Sequence, residues 1–219
     1  MNLQTPKKFK LLIDQAHEVA LNVLRPISRK YDKAEHAYPI ELDMLASVVD
    51  GMNHGSEGMN AGAAVNKRGD ADTTNKNGIN MSTALSIIEM CYGDTGLLLS
   101  MPRQGLGNSA IAAVANEEQL HRFYGTWAAM AITESGCGSD SAAIRTTATK
   151  DGDDYILNGE KIFVTSGERA DAVVVWATLD KKLGRSAIKS FVVTKGTPGM
   201  KVERLEHKLG IKSSDTATI

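Results

Sequence analysis

Two stretches of this chain carry residue types at spacings that could do chemistry. Ala131–Asp140 reads Ala-Ile-Thr-Glu-Ser-Gly-Cys-Gly-Ser-Asp, a short apolar run entering a turn rich in glycine and hydroxyl groups. Asn158–Gly167 reads Asn-Gly-Glu-Lys-Ile-Phe-Val-Thr-Ser-Gly, a turn dipeptide followed by a strand that ends in hydroxyls. Strand ends with hydroxyls and exposed backbone N–H groups can cradle a flat ligand with a polar edge. In the first stretch, Gly136 and Gly138 let the backbone turn tightly and expose donors. Ser139 suits a phosphate oxygen. Glu134 and Asp140 would repel phosphate, so they are expected to fix the loop by accepting backbone N–H bonds. In the second, strand alternation puts Lys161, Phe163 and Thr165 on one face and Ile162 and Val164 on the other. Phe163 can then cover a flat ring while Thr165 bonds its edge. Taken singly, an unliganded glycine-rich turn and an ordinary amphipathic hairpin remain open readings.

The elements that must position these residues change character near residue 127. Before it, Phe9, Leu12, Ile13, Ala16, Ala20, Val23 and Leu24 mark one helical face up to Pro26. Leu42, Leu45, Ala46 and Val49 mark a second helix closed by Gly51. Residues 51–77 are rich in Gly, Asn and Asp and read as a long loop or insertion. Ile79–Leu99 reads as a largely buried helix, and Pro102 opens another through about Val114. Asn116 is a candidate N-cap for a short helix with Glu117 and Glu118 in its first turn. After Trp127 the pattern becomes short strands: 128–133, 143–150, 154–157, 161–165, 172–178, 190–194 and 201–205. Asp151-Gly152 and Asn158-Gly159 are hairpin signals, and Pro198-Gly199 marks a turn. The expected fold class is α+β: an all-α domain over 1–126, then an antiparallel β-barrel-like domain over 127–219. The latter stops within a β pattern, as if incomplete at its C-terminus.

Composition narrows the classes of function. The 219 residues carry a net charge of −1 and are 42% hydrophobic, enough for a buried core without a field favouring nucleic acid or anionic membrane. No apolar run reaches the roughly 18 residues of a membrane span. Cys91 and Cys137 are far apart, and the five His are scattered, so no metal site or disulfide framework is expected. The expected compartment is the cytoplasm. Gly105-Leu106-Gly107-Asn108-Ser109-Ala110 fits a dinucleotide pattern, but no strand precedes it and no βαβ unit surrounds it.

The ordered motifs resemble those of the acyl-CoA dehydrogenases. That family has Thr-Glu-Pro-x-Ala-Gly-Ser-Asp, then Asn-Gly-x-Lys-x-x-Ile-Thr-Asn-Gly, then Lys-x-Gly-x-Arg-x-Ser-Asp-Thr. Here the counterparts are Thr133–Asp140, Asn158–Gly167 and Lys208–Thr216, with Tyr92–Ser100 similar to the family's helical-domain pattern. Ser135 replaces the usual Pro, Cys137 the usual Ala, Phe163 a frequent Trp, Ser166 an Asn and Lys212 an Arg, which removes a bidentate fork.

What the resemblance implies is a flavoprotein of fatty acid metabolism. FAD would be lined by Met130, Ala131, Ile132, Thr133, Gly138, Ser139, Phe163, Val164 and Thr165. Thr133 and Thr165 would meet the flavin ring edge, and Ser139 would lie near phosphate and touch the acyl-CoA substrate. The implied reaction is α,β-dehydrogenation of an acyl-CoA, with electrons passed to an electron-transferring flavoprotein and the chain working as a homo-oligomer. The family's catalytic carboxylate lies in a C-terminal helical bundle that this sequence lacks, so no catalytic base is named. A flavin oxidase or monooxygenase on the same fold, and a catalytically silent partner subunit or fragment, are the alternatives.

Overall fold

The computed structural model describes residues 6–53, 79–103 and 106–219. They fall into two compact units, residues 6–53, 79–101 and 208–214 in one and 102–103, 106–207 and 215–219 in the other. The loop expected over 51–77 lies outside the described residues from 54 onward.

The first unit is helical. A single helical run passes from the 3-10 turn Lys7–Phe9 through α1 (Lys10–Val19), a π-helical segment (Ala20–Leu24) and α2 (Arg25–Lys33). The expected stop at Pro26 does not occur. The π turn, in which the Arg25 N–H reaches the Ala20 carbonyl, precedes Pro26 and shifts the ladder where the proline has no N–H to give. α3 (Glu41–Asn53) runs past Gly51, and α4 (Ile79–Leu99) has the expected limits. α4 breaks at Asp94, whose carboxylate caps the last turn by accepting from Leu97 N at 2.8 Å and also accepts from the Ser28 hydroxyl. Its burial is one-sided: Leu97 joins Leu24, Tyr31, Leu42, Ala46 and Met101 in the core, whereas Met81, Ile88 and Tyr92 are exposed. An all-round apolar sequence has no periodic contrast to say which face turns inward. Lys208–Ser214 is held here by Lys208 N donating to the Glu35 carboxylate at 3.0 Å and by Ser100 Oγ donating to the Ser213 carbonyl at 3.0 Å.

The second unit builds the sheets. α5 (Leu106–Val114) and α6 (Glu117–Arg122) precede β1 (Ala128–Ala131). Asn116 caps α6 as expected: its side chain accepts from Gln119 N at 2.9 Å and Gln119 Oε1 accepts from Asn116 N at 3.0 Å. β2 (Thr147–Asp151) and β3 (Asp154–Asn158) form the hairpin signalled by Asp151-Gly152. β4 (Val164–Thr165), β5 (Ala172–Thr178), β6 (Ile188–Thr194), β7 (Arg204–Leu205) and β8 (Thr216–Thr218) follow. The turn at Pro198-Gly199 is closed by Met200 N donating to Thr197 O at 3.0 Å.

The expectation of a helical part followed by a sheet domain holds, but the sheet is mixed rather than antiparallel. β5 pairs with β6 along its whole length on one edge; on the other it runs parallel to β1 over Ala172–Val175 and meets β2 at Thr178. Its sequence, Ala-Val-Val-Val-Trp-Ala-Thr, is the near-continuous apolar run of a central strand. A second sheet has the order β4-β8-β7, and neither sheet closes on itself.

Among the glycines required by close approach, two bear on how the strands are placed. A Cβ on Gly107, in α5, would lie 2.2 Å from the Ala129 carbonyl oxygen and 2.6 Å from that of Ala128, so this helix rests directly on β1. That packing accounts for part of the Gly105–Ala110 pattern without a nucleotide. A Cβ on Gly159 would lie 2.4 Å from Thr146 Oγ1. Asn158-Gly159 therefore ends β3 rather than forming the expected hairpin, and β4 pairs with β8 instead. Gly107→Ala is expected to lower stability by about 3 kcal/mol or more, because backbone must move to admit the methyl. Urea unfolding of the variant checks it.

Candidate functional site

β1 delivers the first motif and stops at Ala131; Ile132 and Thr133 continue beyond the strand. The Thr133 carbonyl accepts from Ile162 N at 2.9 Å, which lays the second motif beside the first. Lys161 is held on its other side by reciprocal backbone bonds with Ile219, 2.8 Å and 2.9 Å long. The loop that follows Thr133 is pinched by paired backbone bonds between Glu134 and Cys137, 2.9 Å and 3.1 Å long. Cys137 is buried inside it, while Ser135, Gly136, Gly138 and Ser139 face solvent. Gly136 and Gly138 do not have positive φ, and a Cβ on Gly136 would meet nothing within 4 Å. The tight turn expected of these glycines is therefore not what requires them; their lack of side chains leaves open space before the loop.

The alternation expected for Lys161–Thr165 fails at Phe163, which has φ +58°. A bulky side chain is rarely held in the left-handed region. The reversal turns Lys161 and Val164 into the interior and leaves Phe163 60% exposed. Of the nine residues singled out in the sequence, Ala131 and Val164 are buried, Met130, Ile132, Thr133 and Thr165 are partly exposed, and Gly138, Ser139 and Phe163 are exposed. Ala131 and Val164 thus offer a ligand their backbone only. Ile132 also borders a recess of about 400 Å³ with Ser141, Ala142, Trp176, Arg185 and Ile188.

Beneath the loop lies an ionic cluster. Glu134 accepts backbone bonds from Arg145 N at 2.7 Å and Thr146 N at 2.9 Å, the role expected of it. It also accepts from the Thr146 hydroxyl at 2.6 Å and from Lys161 Nζ at 2.9 Å. Lys161 Nζ donates as well to the Ile132 carbonyl at 2.9 Å. Both ionic side chains are almost fully buried, at 3% and 9% exposure. Burial pushes the Glu134 carboxyl up, but the ammonium, the Thr146 hydroxyl and the two backbone N–H groups outweigh it and hold the group down at about 2. Strand alternation puts Lys161 on the same face as Phe163 and so conceals this pair; a Lys two residues before the Phe and a Glu directly after Thr133 are its only signal in the sequence.

The third motif contributes a second anchor. The Asp215 carboxylate, fully buried, accepts from Glu168 N at 3.0 Å and pairs with Arg169 Nε at 3.5 Å, while Ser166 N donates to the Asp215 carbonyl at 3.1 Å. These bonds brace the end of the second motif directly after Thr165.

Comparison with known proteins agrees with this architecture. Residues 129–219 match the acyl-CoA dehydrogenase middle domain. Over 227 aligned residues the chain is 30% identical to the short-chain specific acyl-CoA dehydrogenase of Clostridium acetobutylicum, covering 100% of this chain and 56% of that protein. The solved butyryl-CoA dehydrogenase from Megasphaera elsdenii superposes with a TM-score of 0.78 at 26% identity, over 100% of this chain and 56% of that one. A chain from the structural work on the electron transferring flavoprotein of Acidaminococcus fermentans gives a TM-score of 0.74 at 28% identity, again over 100% and 56%. The chain is thus similar to the acyl-CoA dehydrogenases along its whole length, and its residues 129–219 match that family's middle domain. It spans about half the length of the curated relatives it matches.

The folded pKa of Glu134 lies below its ordinary 4.5, so its contribution is present above that value and disappears as pH falls through about 2. The difference corresponds to about 3 kcal/mol. Glu134→Ala is expected to cost about 3–5 kcal/mol at pH 7, since it leaves a buried ammonium without its partner. The variant should also lose the steep fall in stability between pH 4.5 and pH 2. Denaturant titrations at pH 7, 4.5 and 3 measure both effects.

Proposed function

We propose that the protein carrying this chain is an FAD-dependent acyl-CoA dehydrogenase that introduces an α,β double bond into an acyl-CoA. It passes the electrons to an electron-transferring flavoprotein. The observation that carries this reading is the bond from Ile162 N to the Thr133 carbonyl, because it joins two hydroxyl-bearing strand ends into one edge. The residues fit a flavin. Thr133 and Thr165 are partly exposed, Phe163 is an exposed aromatic plane, and Gly136 and Gly138 leave room for a bulky group before the loop.

Bound FAD supplies the two-electron acceptor for the hydride from the substrate β-carbon. In this reading the Thr133 and Thr165 hydroxyls hold the ring edge, and Phe163 shields one face from water. Ser139, on the exposed arm of the loop, offers its hydroxyl to a phosphate or to the acyl-CoA. The buried ionic pair keeps the loop from yielding when these bonds form. Work as a homo-oligomer and residence in the cytoplasm belong to the same proposal. Among the described residues no helix is long and apolar enough to cross a membrane.

The full-length protein, purified under native conditions, is expected to absorb near ~450 nm and to bleach on anaerobic addition of an acyl-CoA. Thr165→Val should weaken FAD binding roughly tenfold through the loss of one buried hydrogen bond. A colourless protein that takes up no added FAD overturns the reading.

A further inference from the structure

We infer that Lys161, beyond anchoring the loop, polarises the peptide group that presents the Thr133 N–H to the flavin; the inference rests on the cofactor reading above. The Ile132 carbonyl and the Thr133 N–H belong to one peptide unit, and no peptide bond among the described residues is cis. In a trans unit the carbonyl and the N–H point in opposite directions. Lys161 Nζ donates to that carbonyl at 2.9 Å from the interior side, so the N–H is turned away from the ammonium. The Thr133 carbonyl is also taken, by Ile162 N at 2.9 Å. Among the described residues, no backbone carbonyl accepts from Thr133 N–H. The Thr133 N–H therefore sits at the head of a polarised amide with no backbone partner among the described residues.

A cation hydrogen-bonded to an amide oxygen draws electron density through the peptide unit and makes its N–H a stronger donor. At 3% exposure the Lys161 side chain is shielded from the water that would damp this effect. Glu134 neutralises the ammonium for folding, but it bonds from a different direction and leaves the Ile132 carbonyl bond intact. A donor sharpened in this way favours an acceptor whose charge grows during the reaction. A flavin ring carbonyl does so when the ring takes up electrons. Lys161 is thus a positioning residue that acts through the Ile132–Thr133 peptide and touches neither flavin nor substrate.

The test uses the full-length protein loaded with FAD labelled with carbon-13 at its ring carbonyls. Lys161→Met combined with Glu134→Gln removes both charges together, and Lys161→Arg keeps a cation against Ile132. In the double variant the labelled carbonyl signal should move upfield, the flavin midpoint potential should fall, and the FAD Kd should rise roughly tenfold. Lys161→Arg should keep the wild-type carbonyl signal and potential. If the double variant fails to fold, Lys161→Gln is read in its place, with the same upfield movement expected. A purely anchoring Lys161 would change the melting temperature without moving the carbonyl signal or the potential, and that result overturns the inference while the cofactor reading stands. A wild-type protein that binds no FAD overturns both.

Discussion

The buried ion pair between Lys161 and Glu134 is the interaction on which the local structure depends. Either ion alone in the interior would cost several kcal/mol. Together, with the Thr146 hydroxyl, two backbone N–H groups and the Ile132 carbonyl completing their bonds, the pair becomes tolerable. Its geometry is demanding, and that demand brings order. The pair ties the end of β1, the segment entering β2 and the segment before β4 to a single point. A glycine-rich loop anchored only by its own turn would be free to move. This one has its Glu in the core and its exposed arm in the open, so its shape is set from beneath.

Several apparently unrelated residues follow from that point. Gly159 is required because its backbone passes within 2.4 Å, measured to an imagined Cβ, of the Thr146 hydroxyl that serves Glu134. Phe163 takes a left-handed backbone because Lys161 and Val164 must both turn inward within a few residues. The strain falls on the residue whose ring then stands exposed. Asp215 plays the matching part at the other end of the second motif, where its carboxylate collects the N–H groups after Thr165. The three sequence motifs are therefore less a list of ligand contacts than a set of anchors. Much of what they specify lies under the surface that would meet a cofactor.

The sheet supplies the direction. β5 is apolar enough to be buried on both faces, and it accepts β1 as a parallel neighbour, so the carboxyl end of β1 emerges beside the chain that leads to β4. α5 can rest on β1 at backbone distance only because Gly107 has no side chain. Core packing and loop position are thus linked through one strand.

The sequence alone determined which segments are helical and which extended, wherever periodicity or turn chemistry was strong. The capping box at Asn116, the hairpin at Asp151-Gly152, the turn at Pro198-Gly199 and the limits of β5 all follow from local preferences that act within a few residues. The ordered motifs also pointed to the acyl-CoA dehydrogenases. Tertiary structure decided the rest, because it depends on partners far away in the chain. The parallel pairing of β1 with β5 joins residues whose strands read alike in isolation. The inward turn of Lys161 needed a carboxylate 27 positions earlier. The passage of the first helix through Pro26 needed a π turn that no periodicity announces. The exposed face of α4 had no pattern to reveal it, since an evenly apolar helix is told which side to bury only by its neighbours.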